Sequence, residues 1–230
     1  MTRPASAFRA ALVALVAAAC SPASPMPPAD GGTDGGTGGA PDTCAAGFLG
    51  DRSKPPELEI IAIGGDGGVS PVEDGGTVGL IFPPQGGRVI FAGARATNLD
   101  GCGVQITGVL RDEATLEVQV DSRTVNLVPA GGGWGESNPH DVSSFSNVPA
   151  CPNEWSKTNI YGTRYQLELT VADPAGRTAT STLEVTPECA EPTRAAECMC
   201  ICMGGYILGQ SCADAGAGDA GDGDGGDGGG

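Results

Sequence analysis

Nine cysteines, one histidine and two tryptophans are the side chains in this 230-residue sequence from which chemistry could most readily be built. The cysteines are the most informative. Cys20 stands near the start, and Cys44, Cys102, Cys151, Cys189, Cys198, Cys200, Cys202 and Cys212 follow. An odd number in an exported protein asks for one to be set apart, and the even remainder then reads as a disulfide set in an oxidising compartment. Their connectivity does not follow from sequence. Cys198, Cys200 and Cys202 invite a zinc reading, but C-x-C-x-C lacks the C-x2-C spacing of structural zinc sites, and export favours oxidation. Nucleophilic catalysis has little to work with: His140 is the sole imidazole, and no G-x-S-x-G elbow surrounds any serine. Ser137, Ser143 and Ser144 near it read as loop hydroxyls that cap turns. The glycines at 64–68 are followed by neither a lysine nor a helix, so no phosphate loop is present. No catalytic residue, metal or cofactor is assigned. Paired carboxylates for glycoside hydrolysis stay open among the many acidic residues.

Residues 129–162 hold Trp134, Trp155, His140 and Phe145 and interrupt the rhythm of the neighbouring segments. A loop of that length inside a compact domain is usually functional or mobile. The favoured reading has both indoles plugging one end of the domain while Cys151 pins the loop, with Cys102 its candidate partner. In the other reading Trp134, His140 and Trp155 form a ligand-binding loop.

The elements that must position these residues are strands. Apolar alternation with period two runs through 57–63, 77–82, 88–97, 104–110, 116–120 and 124–128, the last two joined through Asp121, Ser122 and Arg123. The strongest pair comes last: Tyr165, Leu167, Leu169 and Val171 alternate with polar residues, Asp173-Pro-Ala-Gly176 turns the chain, and 177–186 returns it. No window carries a convincing helical period. Short strands spaced by Gly, Pro and Asp turns predict an antiparallel β-sandwich. Of the 39 glycines and 18 prolines, those at 21–43 and 213–230 sit where no large apolar core could form, so both segments read as disordered tethers. Asp222, Asp224 and Asp227 in the second tail lack the residue placement of a calcium loop and read as solvated.

Twelve basic against 28 acidic residues give a net charge of -16, and the basic side chains are scattered singly. Such a chain repels phosphate backbones, so nucleic acid is excluded as a partner. Arg3 and Arg9 ahead of an apolar stretch over 10–19 form an export signal too short to span a bilayer. Val16-Ala-Ala-Ala-Cys20 resembles the lipobox of bacterial lipoproteins, with Ala17 where leucine is usual. The resemblance implies that Cys20 is acylated and becomes the mature N-terminus, and that Ser21 directs the product to the outer membrane. Assigning Cys20 to lipid leaves the even set of eight.

Gly162-Thr-Arg-Tyr165-Gln-Leu-Glu-Leu-Thr-Val-Ala-Asp173-Pro-Ala-Gly176 resembles the final hairpin of bacterial Ig-like and PKD-like domains. That likeness implies a seven-strand sandwich over roughly 55–188, Tyr165 as a tyrosine corner bonding upstream backbone, and Leu167 where an antibody domain has cysteine. Cys200-x-Cys202-x-x-Gly205-Tyr206 followed by Cys212 resembles the C-terminal half of EGF-like modules, which implies a Cys202–Cys212 pair across a small hairpin. The whole chain resembles lipoproteins of myxobacteria. The expected plan is a signal peptide at 1–19, a lipidated cysteine and tether at 20–43, an Ig-like all-β sandwich at 44–188, a disulfide-rich hairpin knob at 189–212 and an acidic tail at 213–230. The expected function is that of a non-enzymatic lipoprotein of the cell envelope, anchored to the outer membrane and serving adhesion or binding an envelope protein or polysaccharide. The alternative is a small carbohydrate-binding module or hydrolase using the 129–162 loop.

Overall fold

A computed structural model describes residues 44–212, and the signal segment, Cys20 and both tethers lie outside the described residues. The chain folds as an all-β sandwich of two sheets. β1 (Glu57–Ile63) pairs antiparallel with β4 (Arg88–Thr97) and with the short β2 (Val69–Pro71). β8 (Trp134–Glu136) and β9 (Ser146–Cys151) pair with opposite ends of β4, and β7 (Val128–Gly131) closes the edge beside β8. The second sheet runs β3 (Gly76–Gly79), β11 (Thr178–Glu188), β10 (Tyr165–Ala172), β5 (Val104–Arg111) and β6 (Val118–Val125). All its pairs are antiparallel except β3 with β11. The run β11-β10-β5-β6 follows the G-F-C-C′ order of an Ig-like sandwich.

The alternation read from sequence is what builds the core. Ala92, Ala94 and Ala96 of β4 and Ile60 of β1 point inward against Ile106, Leu110, Leu167, Leu169 and Val185 of the facing sheet. The opposite face of β4 carries Val89 and Phe91, which with Ile61, Ile63 and Phe145 make a second, smaller cluster outside the first sheet. Phe145 can cover that face because position 93 is glycine, where a Cβ would lie 2.6 Å from the ring. Tyr165 is buried at the start of β10, and its hydroxyl donates to the Asn159 carbonyl at 3.3 Å, six residues upstream, which is the expected tyrosine corner.

Four expectations are corrected. The described residues hold eleven strands rather than seven, because the short β2, β7, β8 and β9 add to the longer runs that alternation marks. Residues 116–128 do not turn at Asp121: β6 runs straight through 118–125, as Asp121 pairs with Arg123 two residues on and accepts from Asn147 N at 2.9 Å. The interval 129–162 is no continuous loop, since β8, a 3-10 turn at Val142–Ser144 and β9 lie within it. Finally, the cysteine-rich segment is helical instead of a hairpin. A 3-10 turn at Pro192–Arg194 leads into α1 (Ala195–Ile201), which sets Cys198 one turn below Cys202 so that both are buried.

All eight described cysteines are in bridges, in the pattern Cys44–Cys102, Cys151–Cys202, Cys189–Cys198 and Cys200–Cys212. Cys151 therefore does not reach Cys102. Cys151 pairs in register with Arg88 at one end of β4, whereas Cys102 lies beyond Thr97 at the other. Ten residues of strand separate them by about 30 Å, against the ~7 Å limit for bridged Cα atoms. Nor does Cys202 pair with Cys212. The helix turns Cys202 toward the sandwich, and Cys200 takes Cys212.

Candidate functional site

β4 is the ruler along which the candidate residues of 129–162 are placed. Trp134 sits opposite Thr97, Ser137 donates its backbone N–H to the Ala94 carbonyl at the strand's middle, and Cys151 sits opposite Arg88. The two tryptophans thus lie at opposite ends of the sandwich and do not plug one end together. Trp155 has the structural role foreseen for the pair. Its Nε1 donates to the Ala150 carbonyl at 3.0 Å and its ring meets Tyr165 edge-on at 5.8 Å, against the main core. Beside it Asp112, nearly fully buried, accepts from Ser156 Oγ at 2.8 Å, and Ser156 and Thr158 hydroxyls in turn contact the Tyr165 hydroxyl. Burial disfavours the Asp112 carboxylate, but the bonds from Ser156 and from the Ala114 and Thr115 amides outweigh it and lower its pKa below the usual 3.8. A serine on a carboxylate with no histidine is a structural network. His140 is exposed on the loop between, where its backbone N–H donates to Asn138 Oδ1. The structure does not bring Trp134, His140 and Trp155 to one place.

What it does assemble is a platform around Trp134. In β8 the core side is taken by Gly135, where a Cβ would strike Leu49 at 2.6 Å, so Trp134 and Glu136 face outward. The same parity puts Arg95 of β4 and Glu57 and Glu59 of β1 on that outer face, since their neighbours Ala94, Ala96, Leu58 and Ile60 pack into the core. Arg95 stacks its guanidinium 4.8 Å from the Trp134 ring centroid and pairs with Glu59. A cleft of 300 Å³ opens on the Trp134 side, lined also by Asp51, Lys54, Glu57, Thr97 and Asn98. A second of 380 Å³ opens on the Arg95 side, with Glu136, Ile61, Val69, Pro71 and Pro139.

Two consecutive residues at the end of β4 fix the walls. Thr97 Oγ1 donates to the Gly133 carbonyl at 2.7 Å and holds the turn before Trp134. Asn98, at a φ of 62°, accepts from Asp51 N and donates to the Pro55 carbonyl, holding the 51–55 loop. The turn itself is Gly131-Gly-Gly133, all at positive φ, where glycine is favoured and no side chain stands beside the indole. Asp51 has its pKa lowered by the Ser53 backbone amide and hydroxyl, with a smaller push from Lys54. Among the described residues neither Lys54 nor Glu57 is engaged in an ion pair.

The platform offers one aromatic surface and hydrogen-bonding groups of both signs. Sequence reasoning found Trp134 and missed Asp51, Lys54, Glu57 and Arg95. For Arg95 the signal was its position between Ala94 and Ala96 in a strongly alternating segment, which puts a cation alone on the outer face. Elsewhere the sulfurs of Cys189, Cys198 and Cys202 lie within 4.8 Å of one another, but each is held in a disulfide and is not a thiolate ligand. No protein-family model matches the chain, and no curated protein matches it in sequence.

Proposed function

We propose that the protein is a non-enzymatic binding module of a bacterial cell envelope, tethered to the outer membrane through lipid on Cys20, with the outer face of its β1-β4-β8 sheet engaging an envelope protein or polysaccharide. The observation that carries the binding role is the open platform around Trp134. Its ring is held by Arg95 and by a glycine turn on a scaffold closed by four disulfides, so the surface is pre-organised and loses little freedom on binding. Binding is favoured over imidazole-dependent hydrolysis by the 129–162 interval because the single imidazole, His140, is exposed and its backbone is engaged in a local turn. The tether rests on the lipobox likeness of 16–20 and on the even cysteine count that remains once Cys20 is set aside. Stable anchoring needs more than one acyl chain, which modification of both the thiol and the amine of Cys20 would supply.

Growth with labelled palmitate tests the anchor. The wild-type chain should carry label and sediment with outer membrane, and Cys20→Ala should do neither. Label that survives Cys20→Ala removes the anchor from the proposal.

A further inference from the structure

The chemistry of the Trp134 platform points to a narrower ligand class, and we infer that it is a binding site for neutral oligosaccharides that span both clefts; this rests on the binding-module reading above. β4 is paired on both sides, by β1 and by β8 and β9, so at the centre of this face the backbone is tied up and offers no edge on which an extended peptide could add a strand. Recognition must come from side chains. A pyranose ring presents an apolar C–H face and a rim of hydroxyls, each both donor and acceptor. Trp134 offers the matching apolar surface, while Asp51 and Glu57 accept and Lys54 donates around it.

The two clefts adjoin. Trp134 lines the 300 Å³ cleft, and Arg95, stacked on it, lines the 380 Å³ cleft, so the stacked pair is the wall the two share. Val69, Pro71 and Pro139 give the second cleft an apolar floor, and Glu136 gives it an acceptor. A chain of sugars laid over Arg95 would place one unit in each. The platform is acidic on balance. Asp51, Glu57, Glu59 and Glu136 outnumber Lys54 and Arg95 on the platform, and the chain as a whole carries -16, so uronate or sulfated glycans are repelled. The turn at 131–133 keeps the indole accessible. A Cβ at Gly132 would sit 4.0 Å from Trp134 Cδ1 with nothing else near, so glycine there leaves the approach to the indole bare.

The test uses the full chain with Cys20→Ala to keep it in solution, titrated with cello-, manno- and chito-oligosaccharides and with galacturonate oligomers of matched length. At least one neutral series should bind, with affinity rising from monomer to oligomer, and the galacturonates should not. Trp134→Ala should weaken binding by about tenfold or more, the equivalent of ~1.4 kcal/mol. Gly132→Asn, which keeps a left-handed φ accessible while placing a side chain beside the indole, should do the same with an unchanged thermal midpoint. Unaltered affinity in both variants, binding confined to galacturonate, or binding of none of the neutral series overturns the site. If the wild type and Trp134→Ala adhere equally to intact envelope preparations, the binding module stands and this site for it does not.

Discussion

Two aspartates show at the residue scale how the sandwich is tied. Asp112 anchors the Ser156 hydroxyl beneath the tyrosine corner, and Asp121 joins the sheets by accepting from Asn147 N and Ser146 Oγ across from β9. Burial works against each carboxylate. Hydrogen bonds prevail in both cases, helped at Asp121 by the Arg123 charge, and both pKa values lie below the ordinary 3.8. Groups whose pKa is depressed by folding hold fewer protons in the native state than in the unfolded chain. Their contribution is therefore fully present above the ordinary value and is lost as pH falls through the lowered ones. Urea midpoints should hold steady from neutral pH down toward 4 and fall below it, on the order of the usual carboxylate titration. Asp112→Asn should lower stability by about 1–3 kcal/mol at neutral pH, the range for disrupting a buried hydrogen-bonded carboxylate, and should flatten the acid slope. A slope unchanged in that variant would assign the acid sensitivity elsewhere. Asp51 and Asp141 are also shifted down, but through turns with residues two positions on, so less of their effect depends on folding.

Among elements, the helical segment 192–201 is docked by a cation that the sequence gives no reason to expect inside. Arg88, at the first position of β4, is fully buried; it donates to the Gly87 carbonyl at 2.7 Å and to Glu197 Oε2 at 3.1 Å, and its guanidinium lies 5.1 Å from the Phe82 ring. Arg194 covers the same ring at 3.9 Å, and Glu191 accepts from Phe82 N at 2.7 Å. Burying an arginine is tolerable only with partners for its charge, and Glu197 is the carboxylate paired with it. Removing the partner should then matter more than its half-exposed position implies. Glu197→Ala should lower the unfolding free energy by about 2 kcal/mol, the scale of a lost charge-assisted bond to a group left buried, and Arg88→Met with Glu197→Gln should restore part of it. If the double variant is the less stable of the two, Arg88 is held mainly by its carbonyl bonds. Helix 195–201 was missed in sequence because seven residues with cysteines at every second position look extended, and only burial of Cys198 and Cys202 on one face chooses the helix.

For the whole molecule, the four bridges divide between the two ends of the sandwich. Cys44–Cys102 fastens the entering chain beside the Trp134 platform, and the other three belong to the C-terminal segment at the far end. Cys151–Cys202 spans 51 residues and Cys189–Cys198 only 9, so loop entropy ranks them. Replacing the first pair with serine should reduce stability by about 4 kcal/mol and the second by about 2.5 kcal/mol on the chain-entropy account, read as urea midpoints. The reverse order would mean that the docking contacts of Arg88 and Asn153, which donates to the Thr158 and Met203 carbonyls, hold the segment without the longer bridge. Much of this architecture was legible in the order of residues. The alternation of 57–63, 88–97 and 165–171 set strands whose bounds match β1 and β4, the Asp173 turn joined the last pair, and Tyr165 marked its corner, because each depends on neighbours a few positions apart. The even set of cysteines after Cys20 was equally plain from composition. Which cysteines meet, which tryptophan lines a cleft and which packs on Tyr165, and that Asp51, Lys54 and Glu57 stand around Trp134, were decided by tertiary structure alone. Those contacts join residues tens of positions apart through the register of β4 with β1, β8 and β9, and register across a sheet is a property of the assembled strands that no single strand's pattern contains.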